Sequence, residues 1–184
     1  MDKYDYEKIK KADKYRWKEE KHLIFIPQYR FMRIKRFCTY WKEHNRILFC
    51  IGRIVYEHYK VKYNTDIPAS VQIGYGCKLR HLGGIVINPG VVIGNNVDIV
   101  NGVLLGQMDR GNKKGCPRIG NEVFIGTNAI IVGNVRIGND VVIAPGAYVN
   151  FDVPDHSIVL GNPGNISHKD HASEGQLVNL YDEH

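Results

Sequence analysis

Aliphatic residues recur at every sixth position in the second half of the chain. When residues 119–154 are divided into sixes, Ile or Val occupies the first position of every hexad and Val or Ala occupies the fifth. This spacing fits neither a helix, whose apolar residues recur every three to four positions, nor a strand, in which they alternate. It is typical of a solenoid built from short strands and turns. The first positions are Ile119, Ile125, Ile131, Ile137, Ile143 and Val149.

The repeat extends upstream to Ile67, with one shift of frame and one interruption. With three hexads to a triangular coil, residues 66–154 predict about five coils. The interruption is a polar, Gly-rich insertion at residues 107–118, and insertions in a solenoid loop out from one face, often the face that binds ligand. Because Gly and Asn tolerate positive φ at low cost, we expect the Gly and Asn that follow the inward aliphatic residues to form the corners.

The N-terminal third of the chain follows a different pattern. Apolar residues over 29–63 are spaced by threes and fours, which predicts helices. Residues 1–21 are highly charged and are expected to form either a helix or a disordered tail, and residues 165–184 a loose polar tail. The chain is therefore divided into a basic α-helical segment (1–63), a repeat domain (64–166) and a C-terminal tail (167–184).

The net charge of +6 is concentrated in residues 1–63, which hold 17 Lys and Arg against 8 Asp and Glu. This basic segment either packs on the repeat domain and mediates contacts between copies, or touches an anionic membrane surface. Nucleic acid binding is not expected, because no recognised module accompanies the charge.

No apolar run approaches the roughly 18 residues of a membrane span, and the charged N-terminus does not resemble a secretory signal. We therefore expect a cytoplasmic protein, peripheral to the membrane under the second interpretation. The membrane contact would be made by Arg30, Arg33, Lys35 and Arg36.

The cysteines and histidines do not have the spacing of a metal site. The four cysteines form no CxxC pair, so we expect free thiols in a reducing compartment. A zinc carbonic anhydrase on a solenoid would need three histidines on neighbouring coils. His81 is the only histidine in the repeat region before position 156. We therefore predict no metal.

Three segments of the repeat domain resemble a known family: DIPASVQIGYGCKLRHLGGIVINPGVVIG, GVLLGQMDRGNKKGCPRIGNEVFIGTNAIIVGNVRIGNDVVIAPGAYV and DVPDHSIVLGNPGNI. From about Tyr59 to Ile166 the chain is similar to the hexapeptide-repeat acyltransferases. Within them it resembles the serine acetyltransferase group, and especially the short members found in surface-polysaccharide loci. The resemblance implies a left-handed parallel β-helix, a homotrimer, and acetyl-CoA as co-substrate.

His81 is the residue that we expect to catalyse acetyl transfer. An alcohol is a poor nucleophile while it is protonated, and histidine is the natural base near neutral pH. The family places its catalytic His at this position and an orienting Asp fifteen residues earlier, which here is Asp66. A carboxylate on the far ring nitrogen would fix the tautomer and stabilise the imidazolium. The resemblance therefore implies a His81–Asp66 dyad and direct transfer without a covalent intermediate.

The resemblance also implies where acetyl-CoA binds. In the family the cofactor lies in a groove between adjacent β-helices of the trimer, along the backbone of the later coils. Lys169 would meet the CoA phosphates, and Lys113 and Lys114 are further candidates. By motif position the other contacts map to Gly126, Thr127, Ala144 and Pro145.

The acceptor site departs from the serine acetyltransferase pattern. Those enzymes carry an Asp before the catalytic His, where this chain has Arg80, and an Arg-His pair before Pro117, where it has Gly115 and Cys116. An ionic substrate group is costly to bury without its partner, so a sugar hydroxyl is favoured over serine as the acceptor. Serine O-acetylation and a non-catalytic trimeric scaffold are the alternatives. The predicted acceptor-binding residues are Arg80, Gln107, Arg110 and Cys116.

Overall fold

A computed structural model describes residues 1–182, so the last two positions of the predicted tail lie outside the described residues. Three α-helices and a short 3₁₀ helix precede fifteen short strands. The helices are α1 (Lys3–Tyr15), the 3₁₀ helix (Leu23–Phe25), α2 (Pro27–His44) and α3 (Arg46–Lys62). The strands are β1 (Thr65–Asp66), β2 (Gln72–Ile73), β3 (Lys78–Leu79), β4 (Ile85–Ile87), β5 (Val92–Ile93), β6 (Asp98–Ile99), β7 (Leu104–Gly106), β8 (Arg118–Ile119), β9 (Val123–Ile125), β10 (Ile130–Val132), β11 (Arg136–Ile137), β12 (Val141–Ile143), β13 (Tyr148–Val149), β14 (Ser157–Leu160) and β15 (Asn165–His168).

The strands form a parallel solenoid with three faces. Sheet A has the order β1-β4-β7-β10-β13, sheet B the order β2-β5-β8-β11, and sheet C the order β3-β6-β9-β12-β14-β15. From β1 to β14, successive strands along the chain belong to different sheets, and β15 then folds back beside β14 in sheet C. All pairs except β14–β15 are parallel. Each coil therefore stacks on the one before it, as the six-residue period predicts.

The inward aliphatic residues of the hexads stack in register and form one continuous core. In sheet C, for example, Ile99 pairs with Ile125, which pairs with Ile143, and all three side chains are completely buried. A coil can bury its apolar faces only against its neighbours, so the stability of the solenoid is approximately a sum over coils.

The corner between sheets B and C agrees only in part with the expectation that Gly and Asn supply positive φ. Gly94 and Gly120 have ordinary backbone angles, and the positive φ values fall two residues further on, at Gly76 and Asn96 in the first coils but at Glu122 and Asp140 in later ones. The glycines are needed for space, because a Cβ on Gly94 would lie 2.5 Å from the carbonyl oxygen of Gly120. The asparagines form a ladder in which each side-chain oxygen accepts from a backbone N–H of the previous coil. Its bonds are Tyr75–Asn95 (3.0 Å), Asn95–Asn121 (2.8 Å), Asn121–Asn139 (2.8 Å) and Asn139–Asp155 (2.7 Å).

The helices cover the open end of the first coil, whose carbonyl groups have no preceding strand to accept from. Arg36 donates from its two terminal nitrogens to the carbonyls of Ile73 and Gly74, both at 2.6 Å. Lys35 Nζ donates to the Val71 carbonyl at 2.8 Å, and the Tyr56 hydroxyl donates to the Ile67 carbonyl at 2.6 Å. Unpaired edges invite association with other chains unless they are covered. Two of the basic residues of this segment, Lys35 and Arg36, therefore serve as hydrogen-bond donors to the first coil.

This cap changes the interpretation that four basic residues of α2 touch a membrane surface. Lys35 and Arg36 are 1% and 3% exposed, so neither can reach a membrane surface as predicted. Arg30 and Arg33 lie on the accessible side of α2. Among the described residues no helix is both long and apolar enough to cross a bilayer.

Lys35 should make the stability of the protein depend on pH. Burial first, and the neighbouring Arg36 second, lower the pKa of Lys35 to about 7 from an ordinary value of 10.5. Between these two pH values the unfolded chain binds more protons than the folded one, so the free energy of unfolding rises with pH. We expect wild type to gain stability relative to Lys35→Met as pH rises from about 7 to about 10, measured by urea unfolding. Parallel curves for the two proteins would mean that Lys35 keeps an ordinary pKa.

The C-terminal segment is not the loose tail that its polarity predicts. Strand β15 turns back and pairs antiparallel with β14. Beyond it, Asp140 accepts from the backbone N–H groups of Ala172 and Ser173 at 2.9 and 2.8 Å and from the Ser173 hydroxyl at 2.7 Å. Although partial burial acts to raise it, these bonds and one to His156 lower the pKa of Asp140 to about 2. The segment is thus held on sheet C by a charged acceptor.

Candidate functional site

One edge of the prism collects most of the predicted site residues. At this edge the strands of sheet C turn into those of sheet A, and we call it the C–A edge. Backbone bonds stack its successive turns: Gly102 N donates to Gly83 O at 2.9 Å, Asn128 N to Asn101 O at 3.0 Å, and Gly146 N to Thr127 O at 2.8 Å. The edge consists of residues 80–84, 100–103, 126–129 and 144–147.

His81 lies on the first of these turns, with its side chain exposed. The following glycines adopt φ of +104° at Gly83 and +68° at Gly84, a backbone shape that other residues rarely adopt. Their N–H groups are held by Thr65 Oγ1 at 3.1 Å and by the Asn64 carbonyl at 2.6 Å. A Cβ at Gly83 would meet no atom within 4 Å, so there is open space beside the imidazole. In the part of the chain that the structure describes, the His81 ring has no hydrogen-bond partner, so the ring is free to engage a ligand.

Asp66 lies on β1, but its carboxylate is paired with a lysine. Lys60 Nζ lies 2.9 Å from Asp66 Oδ1, and the Asp66 side chain is largely exposed. Both residues line a cavity of about 390 Å³ between α3 and sheet A. Within residues 1–182 no bond joins Asp66 to His81, so the dyad stays a prediction, and Lys60 competes with His81 for the carboxylate.

The four backbone positions predicted to contact CoA lie on the C–A edge. A Cβ on Gly126 would lie 2.6 Å from Pro145 N, so the two turns touch and only glycine fits. Thr127 Oγ1 donates to Asn101 Oδ1 at 3.3 Å, while Pro145 is exposed and Ala144 half-buried. Since neighbouring coils are about 4.8 Å apart, Thr127 lies about 10 Å and Pro145 about 14 Å along the edge from His81. An extended thioester lying along this edge would reach the level of the imidazole.

Lys169 lies elsewhere. Its backbone N–H donates to the His156 carbonyl at 2.9 Å, at the corner between sheets B and C. Sheet C therefore separates this lysine from the C–A edge of the same chain. Lys113, another predicted CoA contact, is paired with Asp152 at 2.8 Å.

The inserted loop leaves sheet A at the side opposite His81. It starts after β7 and is closed by two backbone bonds between Met108 and Gly115, of 3.0 and 2.9 Å. At its base Cys116 Sγ donates to Asn88 Oδ1 at 3.2 Å and lies 3.8 Å from Gln107 Oε1. Arg110 is exposed. Three of the predicted acceptor-binding residues thus lie together, across sheet A from the imidazole.

Cys116 does not have the surroundings of a nucleophile. Partial burial raises the pKa of its thiol, and none of the described residues that influence this pKa is a cation able to stabilise a thiolate. The reactive form of cysteine is the thiolate. The thiol therefore serves as a donor to Asn88, which agrees with a one-step transfer.

Arg80 is the fourth predicted acceptor-binding residue, and its guanidinium is held by protein groups. Arg80 Nε lies 2.6 Å from Asp98 Oδ2, and a second nitrogen donates to the Gln176 carbonyl. Asp98 is completely buried and also pairs with the buried Arg16, which donates in turn to the Val178 carbonyl at 2.8 Å. Arg80 therefore helps to hold the C-terminal segment on sheet C.

Sequence reasoning missed the contribution of α2 to this edge. Gln28 Nε2 donates to the backbone carbonyl of Arg80 at 3.2 Å, directly before His81. Arg30 donates to the Tyr63 hydroxyl at 3.0 Å, at the end of α3. The signal available in the sequence was Pro27, which is favoured in the first turn of a helix and so predicted where α2 begins.

Comparisons with a family model and with individual proteins agree on one family. The model for bacterial transferase hexapeptide (six repeats) matches residues 116–150. The chain is 33% identical over 141 residues to WcaB of Escherichia coli K12, which is named as a colanic acid biosynthesis acetyltransferase, covering 73% of this chain and 85% of that protein. It is 39% identical over 104 residues to serine acetyltransferase 2 of Arabidopsis thaliana, covering 56% of this chain but only 32% of that protein.

Solved structures agree with the fold. A serine acetyltransferase in complex with CoA superposes with a TM-score of 0.66 at 29% identity, covering 78% of this chain and 58% of that one. The predicted left-handed parallel β-helix is thereby confirmed. Over residues 1–182 the structure contains no group of three or more His, Cys, Asp or Glu side chains placed to hold a metal ion.

Proposed function

This chain belongs to the bacterial hexapeptide transferase family, and on that premise we propose that it transfers an acetyl group from acetyl-CoA to a hydroxyl group. The observation that supports this most is the C–A edge, where His81 and the four predicted CoA contacts lie in one line. The relatives named above are acetyltransferases, and one solved relative carries CoA.

The reaction that we propose needs one base and no covalent intermediate. His81 accepts the proton of the acceptor hydroxyl as its oxygen attacks the thioester carbonyl. The tetrahedral oxyanion collapses, the bond from carbonyl carbon to sulfur breaks, and the CoA thiolate leaves. The imidazolium then returns its proton to that thiolate, so His81 ends as it began. Asp66 would orient the imidazole if the acceptor or CoA displaces Lys60 from its carboxylate.

We propose further that the site is completed in a homotrimer. Sheet A has the C–A edge on one side and the inserted loop on the other. Its outward row is apolar, with Val86, Leu104, Ile130 and Tyr148 in register. If sheet A faces a three-fold axis, the loop of one copy meets the C–A edge of the next. Such an arrangement would bring Gln107, Arg110 and Cys116 to the imidazole of a neighbour, and would cover the apolar row.

A sugar hydroxyl is the acceptor that we propose, in surface-polysaccharide synthesis. The chain has Arg80 where the serine acetyltransferase pattern has an Asp, and Gly115 and Cys116 where that pattern has an Arg-His pair. Its match to WcaB extends over most of both chains. Serine is the second candidate, because the Arabidopsis relative and the solved structure named above are serine acetyltransferases.

Release of free CoA from acetyl-CoA with a panel of acceptors distinguishes these functions. We expect turnover with oligosaccharides or nucleotide sugars, and much weaker turnover with L-serine, because the ammonium and carboxylate of serine lack their expected partners. Robust turnover with serine alone would overturn the choice of a sugar. A trimer that neither binds CoA nor releases it with any acceptor would favour the scaffold.

A further inference from the structure

Two large apolar side chains protrude from the turn that joins α1 to α2. Ile24 and Phe25 lie in the 3₁₀ helix and are 68% and 74% exposed. They are neighbours in sequence, at the tip of a turn that begins with His22 in the left-handed region. Adjacent exposed apolar residues of this size commonly mark an interaction surface.

Cations surround this apolar tip. A cleft of about 430 Å³ opens between the turn and α2, and Lys14, Arg30 and Arg33 line it together with Leu23, Ile24 and Ile34. None of the described residues that line this cleft is acidic. A neighbouring cavity of about 350 Å³ adds Lys11 and Lys18, and Glu20 is the carboxylate among its described lining residues. Apolar and basic side chains are thus interleaved on one face.

The arginines of the cleft have no carboxylate partner among the described residues. Arg30 donates to the Tyr63 hydroxyl and Arg33 to the Tyr29 hydroxyl at 3.4 Å. Arg30 Nε is buried and has no acceptor within residues 1–182. Three cations that line one cleft without a carboxylate partner there are suited to a phosphate, whose oxygens accept strong charge-assisted hydrogen bonds.

We propose that this surface, Lys14, Ile24, Phe25, Arg30 and Arg33, docks the protein on an anionic phospholipid bilayer. A lipid phosphate occupies the cleft, and Ile24 and Phe25 enter the interface between headgroups and acyl chains. Apolar insertion combined with attraction between basic side chains and anionic lipid is how peripheral proteins hold to a membrane. Lys35 and Arg36 take no part, because they cap the solenoid.

The docking surface lies beside the C–A edge. The first turn of α2 contacts the residue before His81 through Gln28, and Arg30 contacts Tyr63, which directly precedes the repeat domain. This step rests on the proposed function. If the protein acetylates a sugar, the placement of the docking surface indicates that the sugar is carried on a lipid, which presents it to His81 at the membrane. The docking itself does not depend on catalysis.

Vesicle flotation with the full-length protein tests the docking. Wild type should float with vesicles made of equal parts phosphatidylcholine and phosphatidylglycerol, and should not float with phosphatidylcholine alone. Since each basic residue at an anionic surface contributes about fivefold in partitioning, Lys14→Glu/Arg33→Glu should weaken binding on the order of twentyfold or more. Ile24→Ser/Phe25→Ser should lose binding as well, with both proteins keeping the wild-type circular dichroism spectrum.

A matched control reverses the same number of charges on sheet B. Arg118 and Arg136 are exposed there, and Arg118→Glu/Arg136→Glu should float like wild type. Equal losses in both charge-reversal variants would mean non-specific attraction and would overturn the proposal. So would binding that survives loss of Ile24 and Phe25, or calorimetric binding of inorganic diphosphate without any binding of vesicles. CoA release with a soluble acceptor, measured on the same preparations, separates a failure of docking from a failure of the proposed activity.

Discussion

Replacing His81 with alanine is expected to lower kcat/KM for acetyl transfer by about 10²–10⁴-fold, the usual contribution of a positioned general base. The imidazole is exposed and has no bond partner in the described chain, so its removal should leave the fold unchanged. The measurement is the initial rate of free CoA release with the best acceptor of the panel. Thermal unfolding and sedimentation should show an unaltered protein.

Substitutions of Asp66 and Lys60 test whether the Asp66 carboxylate assists His81. If the carboxylate orients the imidazole, Asp66→Asn should lower kcat by roughly tenfold to a hundredfold, the scale of an orientation effect. Lys60→Met removes the competing ion pair with Asp66, together with a pair of 3.1 Å to Glu57, and should keep most of the activity. If Lys60→Met is as damaging as Asp66→Asn, the pair of 2.9 Å is the functional contact and the dyad is wrong. Activity retained in His81→Ala would refute the catalytic assignment itself.

Replacing Asp98 with alanine is expected to lower the free energy of unfolding by about 3–5 kcal/mol, the cost of leaving a buried charge without its partner. Asp98 and Arg16 have no exposed side-chain surface, and Arg80 completes the cluster. Typical domains have only about 5–15 kcal/mol in total, so this loss should be visible as a large shift of the urea midpoint.

The double variant Arg16→Met/Asp98→Leu tests the reason for that loss. Because it removes both completely buried charges and leaves only the partly exposed Arg80, it should recover much of the stability that Asp98→Ala loses. Protein concentration is held fixed across the series, since association would shift the midpoint. A loss in Asp98→Ala below about 0.5 kcal/mol, typical of surface substitutions, would show that water or another group compensates Arg16.

The sequence predicted the solenoid because its period is local. Residues such as Ile119 and Ile137 recur in the chain with the same spacing that brings them together in sheet B. The frame shift and the inserted loop were visible for the same reason. The reason given for the corner glycines was wrong in part: Gly94 is required by the carbonyl of the next coil, and such contacts across coils cannot be read from a single hexad.

The contacts between distant segments could not be predicted. The sequence suggested that Lys35 is an accessible cation, but its partner is the backbone carbonyl of Val71. Every residue has a backbone carbonyl, so the sequence does not indicate which one a lysine will bind. The polar C-terminal segment looked loose because Asp140, which holds it, reads as an ordinary turn residue. For the site, motif position grouped His81 with Thr127 and Pro145 on one edge, whereas Lys169 lies at another corner because β15 reverses direction.

The contact between Arg16 and the Val178 carbonyl has a consequence for biosynthesis. The two residues are 162 positions apart, so Arg16 has to wait for this acceptor until position 178 has been synthesised and has left the ribosome. Until then α1 lacks one of the groups that fix it, although the helix and the coils behind it are already synthesised. Domains generally form from the N-terminus during translation. Here the first helix should be among the last elements to become fully protected from amide hydrogen exchange.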